Sequence, residues 1–221
     1  VEVPEEDFTI SATVTGIDYC ERTETIRRTD RYLTSLDVNG TRIEGPDRAA
    51  GHKLFVDRTS TIVTVSAGDD VTLTSAGGGE WIHSYVYVDF DKNGWNVDET
   101  VASANGDLVW FNCYSVEENV APFYNSAGEQ LADGHTVVDG VVGTFNVPID
   151  IEPGDYRVRY KLDWNSTDPC GNSASNNLIT ANAGAIVDFT LRVESPYLEN
   201  ERTITITTSD PEAGTVKFIQ P

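Results

Sequence analysis

Asp155-Tyr156-Arg157-Val158-Arg159-Tyr160-Lys161-Leu162 alternates strictly between apolar and charged side chains. A strand turns successive side chains to opposite faces, so Tyr156, Val158, Tyr160 and Leu162 share one face, and the charged residues share the other. The stretch reads as a half-buried strand. Upstream, Trp81-Ile-His-Ser-Tyr-Val-Tyr-Val88 has no polar face and reads as a central strand covered on both sides. Further strands are predicted at 8–15, 32–38, 41–44, 53–57, 61–66, 70–75, 107–114, 142–147 and 184–193, with Gly, Asp and Asn between them. Asn39-Gly40 fits a tight hairpin turn, because both residues tolerate positive φ. No stretch holds a helical period. The fold class is therefore all-β: an antiparallel two-sheet β-sandwich of jelly-roll or immunoglobulin-like kind.

Residues 17–195 form the sandwich, and 1–16 a tether or first strand. The acidic start, Val1-Glu-Val-Pro-Glu-Glu-Asp7, reads as a tether left after an export signal is removed. Residues 115–141 are poor in strand pattern and read as a long loop. A boundary falls near Ser195-Pro196. Beyond it, 203–207 (TITIT) and 215–219 (TVKFI) form a C-terminal β-hairpin, either the first piece of a following domain or a hairpin docked on the sandwich.

The chain of 221 residues carries 36 acidic against 15 basic side chains, a net charge of −21. That balance excludes nucleic acid and anionic membrane surfaces as partners, since both are held by Lys and Arg. No apolar run is long enough to insert in a membrane, which takes about 18 residues. An acidic shell supplies hard oxygen ligands for divalent cations instead.

One stretch concentrates such ligands: Asp89-Phe-Asp91-Lys-Asn93-Gly94-Trp95-Asn-Val-Asp98-Glu99. Oxygens at alternate positions, with Gly where the chain turns sharply, wrap a Ca²⁺ at about 2.3–2.6 Å. The expected ligands are Asp89, Asp91, Asn93, the Trp95 carbonyl, and Asp98 or Glu99. The pattern departs from an EF-hand, because Thr100 stands where the bidentate Glu belongs and the loop follows a strand. The alternative is a polar turn whose Asp and Asn cap their own amides.

Asp163-Trp164-Asn165-Ser-Thr-Asp168-Pro-Cys170 follows a strand and so sits at a rim of the sandwich. Asp163, Asn165 and Asp168 are candidates to bond sugar hydroxyls, with Trp164 or Trp95 stacking on a ring. The plainer reading is an Asx and Pro turn. Trp81 and Trp110 are expected in the core, and Trp95 has the best prospect of exposure.

Three cysteines, Cys20, Cys113 and Cys170, match no zinc spacing. Either Cys20 and Cys170 form a disulfide with one thiol left over, or all three are buried thiols. His52, His83 and His135 lie near no nucleophile signature, and His83 is expected as a core residue between strand neighbours. No nucleophile-elbow, zinc-protease or phosphate-cradling motif occurs, so the chain is not read as an enzyme. A glycosidase carboxylate pair is the one catalytic arrangement that sequence leaves open.

Taken together, Tyr85-Val-Tyr-Val-Asp89-Phe-Asp-Lys-Asn-Gly94, Gly154-Asp-Tyr-Arg-Val-Arg159, Asp168-Pro-Cys-Gly171 and Gly184-Ala-Ile-Val-Asp188-Phe189 resemble the GEVED domain. Ala185 and Val187 replace both Glu of that family's closing motif, while Asp188 is retained. The resemblance implies a β-sandwich passenger of exported bacterial proteins, common in Bacteroidota, in a variant fused to glycoside hydrolases. It implies a non-catalytic accessory domain, secreted, periplasmic or on the outer cell surface, and part of a larger protein. The expected role is binding a glycan or a surface protein, with Ca²⁺ as a structural stabiliser. The alternatives are a purely structural spacer and, last, a glycoside hydrolase.

Overall fold

The computed structural model describes residues 16–26, 28–46, 53–79, 82–96, 106–113, 141–164, 167–172 and 178–194. The strands expected at 8–15, 203–207 and 215–219, and nearly all of the loop at 115–141, lie outside the described residues. So do Trp81, His52, His135, Asp98, Glu99 and Asn165.

The described strands are β1 (Tyr32–Val38), β2 (Thr41–Glu44), β3 (Phe55–Ser66), β4 (Asp70–Gly78), β5 (His83–Val88), β6 (Leu108–Cys113), β7 (Val141–Asn146), β8 (Gly154–Asp163) and β9 (Ala185–Glu194). A single helical turn, α1 (Ile179–Asn182), precedes β9. They form two sheets, ordered β2-β1-β4-β7 and β3-β9-β8-β5-β6. The chain is a β-sandwich. Among the described residues, no helix is long and apolar enough to cross a membrane.

Local chemistry explains the main features. Val38 pairs with Thr41, and Asn39 and Gly40 take φ of 47° and 81°, the two left-handed residues that a tight hairpin requires. In β1 a register shift between Leu33 and Ser35 breaks the alternation. That irregularity is why Leu33, Leu36 and Val38 are all buried despite their uneven spacing. The strands expected separately at 53–57 and 61–66 are one strand, β3, with an irregularity between Arg58 and Ile62. β3 runs parallel to β9, so the larger sheet is mixed rather than wholly antiparallel.

Between the sheets, Tyr156, Val158, Tyr160 and Leu162 of β8 meet Val86 and Val88 of β5, Leu73 of β4 and Phe145 of β7 in one core cluster. Trp110 belongs to it as expected, 6% exposed, and packs so closely on Gly143 that a Cβ there would lie 2.6 Å from the indole ring. Each such large side chain taken from water stabilises the fold by about 1.5–3 kcal/mol.

The opposite face of the larger sheet is also covered, and here the structure corrects the half-buried reading of β8. Arg159, Lys161 and Asp163 are 0% exposed. Residues 16–26 lie across this face, held by Arg159 donating to Tyr19 O and by an isolated bridge from Thr25 to Lys53, just ahead of β3. Ile26, Leu54, Ile179, Ala183 and Ile186 form a second apolar cluster. All six residues of β5 are buried, as its missing polar face predicted.

Candidate metal centre

β5 ends at Val88, and the chain then turns through 89–96 with Lys92 at φ 57° and Gly94 at φ 97°. Asp89 is drawn inward. Its Oδ1 accepts Asn93 N–H at 3.1 Å, and its Oδ2 accepts Gly94 N–H at 3.1 Å and the Tyr19 hydroxyl at 2.5 Å. Asp91 Oδ2 accepts the Asn93 side-chain amide at 2.5 Å. The loop thus caps its own backbone, as the polar-turn reading requires.

The structure then adds a residue that the loop pattern did not contain. Asp107 sits in the turn just before the return strand β6, after Gly106, whose φ of 61° favours glycine and whose Cβ position would collide with the Asn96 carbonyl. Asp107 N–H donates to Asn96 O at 3.1 Å, and its Oδ2 accepts Asn96 N–H at 2.6 Å. Val88 N–H donates to Asp107 O at 2.8 Å, which seats the residue beside the end of β5. As a result one carboxylate oxygen each of Asp89, Asp91 and Asp107 lies within 4.8 Å of the others.

Three like charges at that spacing repel by roughly 3 kcal/mol per pair at an effective dielectric near 20. Burial first, then Asp89 and Asp91, push the Asp107 carboxyl up to about 6, against the bond from Asn96 N–H. The loop's own cation does not lie among the three, for Lys92 Nζ sits 4.3 Å from the Tyr156 ring centroid. Burial and the Asp89 carboxylate raise the Tyr19 phenol well above its ordinary range, so it stays a donor.

No protein-family model and no curated protein matches the chain. Among solved structures it is similar to the glycoside hydrolase family 61 member Cel61B from Hypocrea jecorina, at a TM-score of 0.33 and 13% identity, over 75% of this chain and 82% of that one.

Of the other expected ligands, Asn93 lies at the loop surface and donates to Asp91, while Trp95 is half-buried. The Trp95 ring meets Tyr19 at 5.2 Å and Tyr87 at 6.1 Å, with the Arg159 guanidinium 5.0 Å from its centre. Its indole N–H is buried with no acceptor among the described residues.

The rim residues expected to meet a ligand are dispersed. Asp163 is wholly buried, accepting Lys161 Nζ at 3.1 Å and Trp164 N–H at 2.6 Å. Burial lowers the Lys161 ammonium and raises the Asp163 carboxyl, each toward its neutral form. Trp164 is half-buried, with Arg31 5.3 Å from its ring centre. Asp168 Oδ1 accepts Cys170 N–H at 2.6 Å, the Asx turn of the plainer reading.

Cys20 and Cys170 form a disulfide, with Cα atoms 5.6 Å apart and a sequence separation of 150. His83 is 0% exposed, and its Nδ1 lies 2.9 Å from the Tyr85 hydroxyl, a core histidine as expected.

Proposed function

We propose that this chain is a non-catalytic accessory module of a larger exported or cell-surface protein, stabilised by one Ca²⁺ held by Asp89, Asp91 and Asp107. The convergence of these three carboxylates within 4.8 Å carries the reading. Their mutual repulsion offsets a large part of what the hydrogen bonds to these carboxylates return, at about 1.5–3 kcal/mol each for a charged acceptor. A divalent cation removes that repulsion, and an all-oxygen donor set suits a hard ion such as Ca²⁺. Asp98 or Glu99, expected from the sequence to close the shell, lies outside the described residues.

Export is supported by a disulfide joining residues 150 apart, a bond that persists in oxidising compartments. The non-catalytic reading is supported by how the other close pairs of titratable groups are spent. Arg159 with Asp188, and Lys161 with Asp163, are buried against each other and hold the sheet. For the rim, the full burial of Asp163 and the half-burial of Trp95 favour a structural spacer over a sugar platform.

Calorimetry decides the cation. Saturation a hundredfold above Kd adds about 2.7 kcal/mol, which raises Tm by roughly 5–10 °C for a chain of this size. Identical melting in Ca²⁺ and in EDTA defeats the metal reading. A glycan array probed with the Ca²⁺-loaded protein decides the role: reproducible binding restores the sugar reading, and a blank array leaves the spacer.

A further inference from the structure

We propose that the Cys20–Cys170 disulfide is a thiol-exchange site, at which an external thiolate attacks Cys170 and expels Cys20. Both cysteines are half-buried and line an open cleft with Asp18, Glu21, Arg22, Glu24 and Asn172, the approach this proposal assigns to a small thiol.

The two sulfurs are not equivalent. Arg159 Nη1 donates to Cys20 Sγ at 3.3 Å. That guanidinium is 0% exposed, and it shares a single buried carboxylate, Asp188, with Arg157. Glu21 bonds Arg157 at 3.0 Å and is itself half exposed to water. The cleft also holds the carboxylates of Asp18, which accepts Cys20 N–H at 2.8 Å, and Glu21, so it is the direct contact of the Arg159 guanidinium with Cys20 Sγ that favours the negative charge appearing there when the bond breaks. The contacts at Cys170 are to its backbone: Asp168 accepts its N–H, and Arg22 Nε donates to its carbonyl at 2.7 Å. A thiolate facing a guanidinium is the better leaving group. Cys20 is also held at φ 47°, a conformation that an L-residue adopts reluctantly.

In the first step the thiolate forms a bond to Cys170 Sγ, the Sγ–Sγ bond breaks, and its electron pair stays on Cys20 against Arg159. A second thiol then displaces Cys170. The reagent leaves as its own disulfide, and two electrons and two protons pass to the two cysteines. Residues 16–26 thereby lose their covalent tie to the loop at 167–172. The Tyr19 ring, packed on Trp95, is then held by non-covalent contacts alone.

Glutathione added to the folded, oxidised chain, followed by iodoacetamide and peptide mass spectrometry, tests this. The expected product carries glutathione on Cys170 and carbamidomethyl on Cys20, with a preference of about fivefold or more over the reverse assignment. Cys113 is scored on its own peptide. An even split, the reverse assignment, or no reaction until urea is added overturns the proposal. Arg159→Gln removes the positive charge beside the Cys20 sulfur and is expected to erase the preference, whereas Arg159→Lys, which keeps the charge, is expected to retain part of it. If neither variant folds, the product distribution of the wild-type chain decides alone.

Discussion

The Tyr19 hydroxyl donates to Asp89 Oδ2 at 2.5 Å, bridging residues 70 apart in sequence. The bond ties residues 16–26 to the acidic loop. Outer partners of this kind orient a metal ligand, and their loss costs about 10–100-fold in affinity. Tyr19→Phe keeps the ring against Trp95 and removes only the hydroxyl. Its Ca²⁺ affinity by isothermal titration is expected to fall about tenfold. Unchanged affinity shows that the bond does not position Asp89.

Asp107→Asn separates a metal ligand from a structural acceptor. The amide oxygen still receives Asn96 N–H, while one of the three repelling charges is gone. In EDTA the variant is expected to melt at or above the wild-type temperature, and its Ca²⁺-induced shift is expected to vanish. A variant that melts lower in EDTA and still responds to Ca²⁺ refutes the assignment of Asp107.

If Asp107 is a ligand as proposed, protons compete with the cation there. This carboxyl is pushed up to about 6, above its unfolded value near 3.9. The stability it contributes to the metal-free chain is therefore present below about pH 4 and lost as pH rises through about 6. Cation binding follows the opposite course, because Ca²⁺ must displace the proton. Affinity at pH 5 is expected to be roughly tenfold weaker than at pH 7.5, for one proton leaving at about pH 6. Titrations at the two pH values check this, and equal constants exclude Asp107 from the site.

Asp188 receives Arg159 Nε at 2.6 Å and Arg157 Nε at 2.7 Å, all beneath residues 16–26. Asp188→Asn leaves Arg159 buried without its anion. Removing one partner of a buried pair costs about 3–5 kcal/mol. Urea unfolding is expected to show a loss of that size with an unchanged slope. A loss under about 1 kcal/mol means that water reaches the guanidinium, as at an exposed pair.

Most of the architecture was legible because period-two alternation is a local property. Tyr156, Val158, Tyr160 and Leu162 announced their shared face, the apolar run of β5 announced a doubly covered strand, and Asn39-Gly40 announced a hairpin. That Asp89 and Asp91 stand together in a tight acidic loop turning at Gly94 was legible for the same reason, since they lie at fixed short spacings. Asp107 was not. Its one local sign was an acidic residue after Asn105-Gly106 at a strand start, a common arrangement that by itself points to no partner.

Sequence by itself determined an acidic all-β sandwich with a ligand-rich loop after a buried strand, because alternation, turn residues and charge act over a few positions. Tertiary structure alone decided that β3 runs parallel to β9, that Arg159 and Lys161 are covered, that Asp107 joins Asp89 and Asp91, and that Cys20 is bonded to Cys170. Those outcomes depend on which distant segments fold over which face. Long-range pairing is chosen by the summed burial and charge compensation of the whole chain, and no short stretch contains that sum.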